Sequence, residues 1–299
     1  MAYRRPGARE VLLSTRPYSL LNSVSRAIVG GVAAMASVTG FAPLPIALTA
    51  LVAIGVASFQ AAENLINDYF DTKHGYDTSD APAARLRGHS VFTYGLSLDQ
   101  VRGLGVSLLV FGFMLVVIAT VILPRPLLPA FLGLGAVLLW GYNGRPLELK
   151  YRGLGEVDVF LAALVMVMGS YYTVSGSLSL RPLELGVPVA LLSSSVALAD
   201  DIRDLEWDRS HGVGTLAVRL GRKAARSLYA AMALLAVLTP LALIRAPWSL
   251  TPLTSLPLAI ISTLQVWGFS VVRPWRAVKL RFYLTMTFSA TYAVAIAFA

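Results

Sequence analysis

Residues 103–124 read GLGVSLLVFGFMLVVIATVILP and lie between Arg102 and Arg125 without a single charged side chain. A helix needs about 20 mainly apolar residues to cross a hydrocarbon layer ~30 Å thick, and this stretch has that length. Comparable charge-free gaps lie between Asp158 and Arg181 and at three places nearer the C-terminus. The chain is therefore predicted to be an integral, multi-pass protein of the cell membrane.

The composition excludes several other classes of protein. Of the 299 residues, 56% are hydrophobic and 14% are charged, whereas soluble globular chains carry about 25% charged residues. The chain contains no cysteine, which excludes disulfides and Cys-ligated metals. A soluble protein, a disordered chain and a disulfide-stapled secreted domain are all inconsistent with this composition.

Proline and glycine clusters divide the apolar sequence into nine predicted helices. The predicted spans are 20–41, 44–67, 98–122, 127–143, 156–176, 183–205, 223–244, 251–272 and 281–298. Several connections between them are short, which favours antiparallel neighbours in an all-α helical bundle. The whole chain, residues 1–299, is predicted to form one transmembrane domain.

Lysine and arginine residues are distributed unequally between the two ends of these spans. If the N-terminus is cytoplasmic, 21 of the 25 lysines and arginines fall on cytoplasmic segments and only Arg125, Arg181 and Arg245 lie opposite. The positive-inside rule therefore predicts a cytoplasmic N-terminus. The cytoplasmic loops that carry motifs are then predicted at about 68–98, 142–156, 203–226 and 273–281. The net charge of +9 is read as a topology signal, and no nucleic-acid partner is predicted.

The first acidic motif reads ENLINDYFDTKHGYD and covers residues 63–77. Asn64, Asn67, Asp68 and Asp71 have the spacing i, i+3, i+4, i+7, which places them on one face of a helix. In isolation, such residues can simply collect at a membrane boundary.

The second acidic motif reads DDIRDLEWDR and covers residues 200–209. Asp201, Asp204 and Asp208 form a similar stripe, and Asp200 offers an alternative row with the same two partners. Like charges on one helix face repel by roughly 0.2–0.5 kcal/mol per pair, and a bound cation removes that repulsion. Mg²⁺ is held by one or two carboxylates together with substrate phosphates, so two matched stripes favour a metal site over a boundary effect.

A third polar segment, YNGRPLELKYRGLGE at residues 142–156, carries basic side chains. Arg145 and Lys150 are donors suited to phosphate oxygens, although they can also anchor a loop to lipid headgroups. The three histidines are predicted to lie on loop surfaces without a catalytic role; they are His74, His89 and His211.

These three segments together resemble the UbiA family of intramembrane prenyltransferases. The match to its two aspartate-rich motifs lies at residues 67–77 and 200–221, and residues 142–156 are similar to the MenA-like branch. The resemblance covers nearly the whole chain and implies nine helices around a central cavity. The family motif often has an aspartate where this chain has Gly75, with Asp77 two residues later.

The resemblance also implies roles for individual residues. Two Mg²⁺ ions would be held by Asp68, Asp71, Asp201, Asp204 and Asp208. Catalysis is assigned to Asp68, Asp71, Asp204 and Asp208. The diphosphate would be bound by Asn64, Asn67, Lys73, Arg145, Lys150 and Arg203. The acceptor would be bordered by Tyr142 and Asn67.

The implied reaction is Mg²⁺-dependent transfer of an isoprenyl group from an isoprenyl diphosphate to an aromatic acceptor in quinone biosynthesis. The acceptor would be of the 1,4-dihydroxy-2-naphthoate or 4-hydroxybenzoate type. The protein would contact the lipid bilayer, and no obligatory protein partner is inferred. Two other functions stay open, namely prenylation of a glycerol phosphate in ether-lipid synthesis and ion-coupled transport. The sequence also leaves open the donor chain length and which of Asp200 and Asp201 faces the cavity.

Overall fold

Helices make up all the regular structure of the residues that the computed structural model describes, which are 6–269 and 274–299. The α-helices are α1 (Ala8–Ser14), α2 (Pro17–Ala34), α3 (Pro43–Lys73), α4 (Pro82–Arg87), α5 (Leu98–Ile122), α6 (Leu128–Asn143), α7 (Gly155–Ser175), α8 (Arg181–Ser210), α9 (Leu216–Leu220), α10 (Arg222–Leu238), α11 (Pro240–Leu243), α12 (Leu256–Trp267) and α13 (Pro274–Phe298). A π-helical turn, Met35–Thr39, extends α2, and 3₁₀ turns cover Lys150–Arg152 and Trp248–Ser255.

Seven helical segments in the described part of the chain are long and apolar enough to cross a membrane. They are Pro17–Thr39, Pro43–Lys73, Leu98–Ile122, Gly155–Ser175, Arg181–Ser210, Arg222–Leu243 and Trp248–Trp267. The protein is therefore a multi-pass, all-helical membrane protein. Helix α6 is apolar but has only 16 residues, and α13 is not among the seven, so the count of nine spans stays a prediction.

The polar ends of several spans are helical where the sequence suggested loops. Helix α3 continues to Lys73 and α8 to Ser210, and α13 already begins at Pro274. An apolar stretch marks the part of a helix that lies in lipid, but it does not mark where the helix ends in water. The predicted end of the eighth span and the start of the 273–281 loop fall outside the described residues.

Helices α2, α7, α8 and α13 share the main hydrophobic core. Val29, Val167, Leu192 and Phe288 meet there and are all fully buried. A Cβ atom at Gly30 would overlap the backbone oxygen of Val167. The glycine therefore lets α2 and α7 approach closely, as small residues do in membrane bundles.

Both aspartate motifs lie at the same end of the bundle, which we call the motif end. Helices α3 and α8 have 31 and 30 residues, about 45 Å at 1.5 Å per residue, and so are longer than a ~30 Å hydrocarbon layer. The indole nitrogen of Trp207, near the end of α8, donates a hydrogen bond of 2.8 Å to the carbonyl oxygen of Tyr76, just after α3. This bond ties the two motif segments together.

The predicted orientation can be tested by cysteine labelling, because the natural chain has no cysteine to react. Ser177 and Ser210 are both exposed. Ser177 follows α7 and Ser210 is the last residue of α8, so the two lie at opposite ends of the bundle. We expect an impermeant maleimide to label Ser177→Cys in intact cells and Ser210→Cys only after the membrane is opened. The reverse pattern would place the motif end outside the cell.

Candidate active site

A cavity of about 300 Å³ has both aspartate motifs at one end. The carboxylates of the two motifs in its wall are Glu63, Asp71, Asp77, Asp200, Asp201, Asp204 and Asp208. Helix α5 contributes only apolar residues to the wall, Leu115, Val116 and Ala119, and α6 contributes apolar residues apart from Tyr142. The cavity therefore joins an acidic end to a deeper apolar part, and both Asp200 and Asp201 line it.

The carboxylate of Asp71 is held by the 3₁₀ turn that precedes α7. Lys150 Nζ donates a hydrogen bond of 2.6 Å to Asp71 Oδ2, and the hydroxyl of Tyr151 donates one of 2.7 Å to Oδ1. Asp71 is 2% exposed, so these bonds compensate for the loss of water around a buried charge. The 3₁₀ turn thereby fixes the side chain of Asp71 on α3.

Lys150 faces carboxylates from both motifs. Burial alone would lower the pKa of Lys150, but the carboxylates of Asp71, Asp77 and Asp208 raise it above the usual value for lysine. Asp71 and Asp77 belong to the first motif and Asp208 to the second. A positively charged amine therefore lies where the two motifs approach each other.

On α8, Arg203 neutralises two neighbouring carboxylates. Its Nε donates to Asp204 Oδ1 at 2.7 Å and its Nη1 donates to Asp200 Oδ1 at 2.8 Å. Arg281 of α13 also lies 3.1 Å from Asp200 Oδ1, and it is buried. Arg203 thus contacts the acidic row but is not itself in the cavity wall.

Asp68 is placed differently from the other predicted metal ligands. Its side chain is fully buried, pairs with the guanidinium of Arg16 and accepts hydrogen bonds from the backbone nitrogen and hydroxyl of Ser90, at 2.9 and 2.7 Å. Asp68 is not in the cavity wall. Arg16 precedes α2 with a left-handed backbone (φ 53°), a conformation that is uncommon for residues other than glycine. These contacts join α3 to the start of α2 and to the segment around residue 90.

The two asparagines of the first motif lie in the cavity wall with Tyr142. Asn64 donates to the carbonyl oxygen of Thr15 at 2.9 Å and to Ser19 Oγ at 2.8 Å, so it also fixes the start of α2. When the amide nitrogen of Asn67 faces Asp71, the amide oxygen accepts from Lys150 Nζ at 3.3 Å.

Three of the predicted diphosphate-binding residues are not in the cavity wall: Arg203, described above, Arg145 and Lys73. The side chain of Arg145 is 84% exposed and pairs with Glu148. Lys73 is also exposed, and its Nζ lies 5.5 Å from the centre of the Tyr69 ring. Their roles in diphosphate binding stay predictions without support from this geometry.

The prediction that His89 lies on a loop surface is wrong. His89 is fully buried, and its Nε2 lies 3.5 Å from Asp77 Oδ2 and 3.7 Å from Asp68 Oδ1. The segment after α4 folds back onto the first motif, which no local sequence pattern indicates. The sequence interpretation likewise assigned no role to Tyr151 and Ser90, whose contacts depend on the same folding back of loops.

The donor set of the motif end fits Mg²⁺. No group of three or more carboxylate or imidazole side chains capable of holding a metal ion is found in residues 6–269 and 274–299. The carboxylates come instead from two separate segments that face one cavity. Mg²⁺ suits such an arrangement, because it prefers oxygen ligands and takes several of them from waters and substrate phosphates.

Comparison with known proteins identifies the family of the chain. The family model described as the UbiA prenyltransferase family matches residues 24–291. The chain belongs to the UbiA prenyltransferase family. A 1,4-dihydroxy-2-naphthoate octaprenyltransferase from Mycobacterium leprae is 34% identical, over 82% of this chain and 81% of that protein.

Solved structures of UbiA homologues share the fold. A UbiA homologue from Aeropyrum pernix K1 has a TM-score of 0.69 at 19% identity, covering 93% of this chain and 98% of that one. A UbiA homologue from Archaeoglobus fulgidus bound to GPP and Mg²⁺ has a TM-score of 0.65 at 15% identity, covering 97% and 100%. At these identities the likeness concerns the UbiA fold.

The contacts of Asp68 predict that Arg16 stabilises the fold. Replacing one member of a buried ion pair costs about 3–5 kcal/mol, because the other charge stays buried without its partner. We expect Arg16→Met to lower the thermal unfolding temperature in detergent substantially. Arg145→Met removes an exposed ion pair and serves as the control with little expected change. Equal unfolding temperatures for the two variants would contradict a structural role for the Arg16–Asp68 pair.

Proposed function

We propose that this protein transfers an isoprenyl group from an isoprenyl diphosphate to a hydroxylated aromatic acceptor of the 1,4-dihydroxy-2-naphthoate type, in quinone biosynthesis. The observation that carries the proposal is the position of Lys150, which bonds to Asp71 and lines the acidic end of the cavity together with carboxylates of both motifs. The deeper walls of the cavity include many apolar residues. That combination suits a substrate with an anionic head and a hydrocarbon tail. The similarity to the naphthoate prenyltransferase from Mycobacterium leprae supports the class of acceptor.

The motif end would bind the diphosphate through metal and protein together. Asp71, Asp77, Asp204 and Asp208 line the cavity and would hold Mg²⁺, for which we propose two ions. When bound, Mg²⁺ would supply Lewis acidity that offsets the negative charge gathering on the leaving diphosphate. Lys150 would donate to the phosphate oxygens directly.

We assign Asp68 to positioning rather than to metal binding. Its oxygens bond to Arg16 and Ser90. Asp71 and Asp204 are hydrogen-bonded as well, but they line the cavity and Asp68 does not. It would hold the start of α2 against the first motif, next to Asp71 on the same helix. Asp201, in the second motif, also lines the cavity and would support the metal-binding carboxylates.

The reaction would begin when the bond between the allylic carbon and the diphosphate oxygen breaks. The electron pair leaves with the diphosphate, and Lys150 stabilises the charge that develops there. A ring carbon of the acceptor then forms the new carbon–carbon bond, and the ring loses a proton. Tyr142 and Asn67 line the cavity and would border the acceptor. The π face of Tyr142 would also attract the allylic cation. The apolar walls would keep water from the allylic cation.

The reaction is tested by incubating purified protein with Mg²⁺ and geranylgeranyl diphosphate. The acceptor panel contains 1,4-dihydroxy-2-naphthoate, 4-hydroxybenzoate and a glycerol phosphate, and the products are identified by mass. We expect prenylated naphthoate that disappears when Mg²⁺ is chelated. Transfer to the glycerol phosphate alone would favour the ether-lipid reaction, and the absence of any prenylated product would contradict the proposal.

Substitutions at the motif end predict which side chains act on the diphosphate. We expect Asp71→Asn and Lys150→Gln each to lower kcat about 100-fold or more, as the loss of one group that stabilises a developing negative charge does. Lys150→Arg keeps the charge and is expected to recover part of the rate. Lys223→Gln, on the exposed surface of α10, is the matched control. Full activity of Lys150→Gln would remove the lysine from the mechanism.

A further inference from the structure

A second set of polar side chains lines the same cavity at membrane depth. Asn22 and Arg26 of α2 and Asp158 of α7 belong to it, and both helices are among the segments that can cross the membrane. Ionisable residues inside a membrane span are rare and usually mark a functional site. The chemistry of the diphosphate uses none of these three residues.

The set lies deeper than the motif end. Arg26 Nε donates a hydrogen bond of 2.9 Å to Ser193 Oγ on α8. Ser193 precedes Asp201 by eight residues, which is about 12 Å along a helix. The polar set is thus separate from the aspartate motifs, yet it lies within reach of a substrate bonded next to them.

Two acceptor atoms of this set are buried without a hydrogen-bond partner. They are Oδ1 of Asp158 and Oδ1 of Asn22, and the two residues are 4% and 7% exposed. A buried acceptor that finds no donor destabilises a fold. Because both residues line the cavity, a molecule in the cavity that carries hydrogen-bond donors would satisfy them.

Arg26, the third residue of the set, supplies hydrogen-bond donors rather than acceptors. The Arg26 guanidinium carries five N–H donors, and the partners found for them are the hydroxyl of Ser193 and, at 3.5 Å, the thioether sulfur of Met166. A thioether is a weak acceptor. Arg26, 4% exposed, is therefore suited to an anionic or carbonyl oxygen of a ligand.

A large part of the remaining cavity wall suits a hydrocarbon chain. Helices α5 and α6 and the first half of α3 present apolar side chains, among them Val52, Phe59, Val116 and Phe131. An isoprenyl tail that packs on these helices would leave the polar set of α2 and α7 to another molecule. The cavity thus has one wall for hydrocarbon and one for a compact polar ligand.

We propose that Asn22, Arg26 and Asp158 form a subsite for the prenyl acceptor and determine which acceptor is used. Asp158 and Asn22 accept hydrogen bonds from its hydroxyl groups, and Arg26 binds its carboxylate. The ligand class is a small hydroxylated organic acid. The inference rests on the proposed prenyl transfer for the identity of the second substrate.

Equilibrium binding to the purified protein tests the subsite. The probes are 1,4-dihydroxy-2-naphthoate and 2-naphthoate, which lacks both hydroxyls. We expect the wild-type protein to bind the dihydroxy probe at least 10-fold more tightly, as hydrogen bonds to a charged group contribute about 10- to 100-fold. Asp158→Leu and Asn22→Leu are close in size and are each expected to remove most of this preference. Arg26→Met should weaken binding of both carboxylates while keeping the ratio between them.

A matched control separates ligand binding from helix packing, since buried polar groups also join membrane helices. Ser262 and Tyr229 share a buried hydrogen bond of 2.5 Å between α12 and α10, and neither lines the cavity. Ser262→Ala is expected to keep the wild-type preference between the probes. Thermal unfolding of each variant shows whether the binding data come from folded protein.

Binding of geranylgeranyl diphosphate with Mg²⁺ distinguishes the two proposals. If the wild-type protein fails to bind this donor, the proposed prenyl transfer is contradicted, whatever the probes show. If the donor binds and Asp158→Leu and Asn22→Leu keep the preference for the dihydroxy probe, the subsite is overturned. A wild-type protein without that preference overturns it as well.

Discussion

The central physical constraint is the concentration of carboxylates at the edge of a low-dielectric bundle. Charges buried there are tolerated only when they are paired and hydrogen-bonded, and each motif has its own basic partner. Lys150 pairs with Asp71 and Arg203 with Asp204, while Arg16 pairs with the more deeply buried Asp68. In the proposed reaction, a diphosphate and its cations arrive together, so the lysine can turn to phosphate and the carboxylates to metal without leaving a net charge uncompensated.

The long motif helices and the chain segments between them make this pairing possible. Helices α3 and α8 extend past the apolar layer and place their last turns beside each other, where Trp207 binds the carbonyl of Tyr76. The 3₁₀ turn before α7 then delivers Lys150 and Tyr151 to Asp71. The aspartate motifs and their basic partners lie at the motif end. Deeper in the cavity, α5 and α6 line an apolar side, and α2 and α7 line a side with polar residues.

Several membrane-spanning helices could be predicted, because a helix that crosses lipid needs about 20 mainly apolar residues. The charge-free stretch of α5 predicted a helix over 98–122, and the structure has Leu98–Ile122. Helical spacing also grouped Asp201, Asp204 and Asp208, which do share the cavity wall. The same spacing put Asp68 with Asp71, yet the two side chains have different surroundings. Side chains on one face of a helix can contact two different segments of the chain. The spacing of the residues does not tell which side chain contacts which segment.

The sequence by itself determined the membrane class, the family and the residue types at the motif end, since these follow from local composition and motif spacing. Only the tertiary structure decided that Asp77 lines the cavity, that His89 is buried beside it, and that Arg145 stays in water. The tertiary structure also places Asn22 of α2 and Asp158 of α7, which are distant in sequence, in the wall of the same cavity. The physical reason is that burial and pairing of a polar side chain depend on neighbours far away in the chain, which local patterns do not encode.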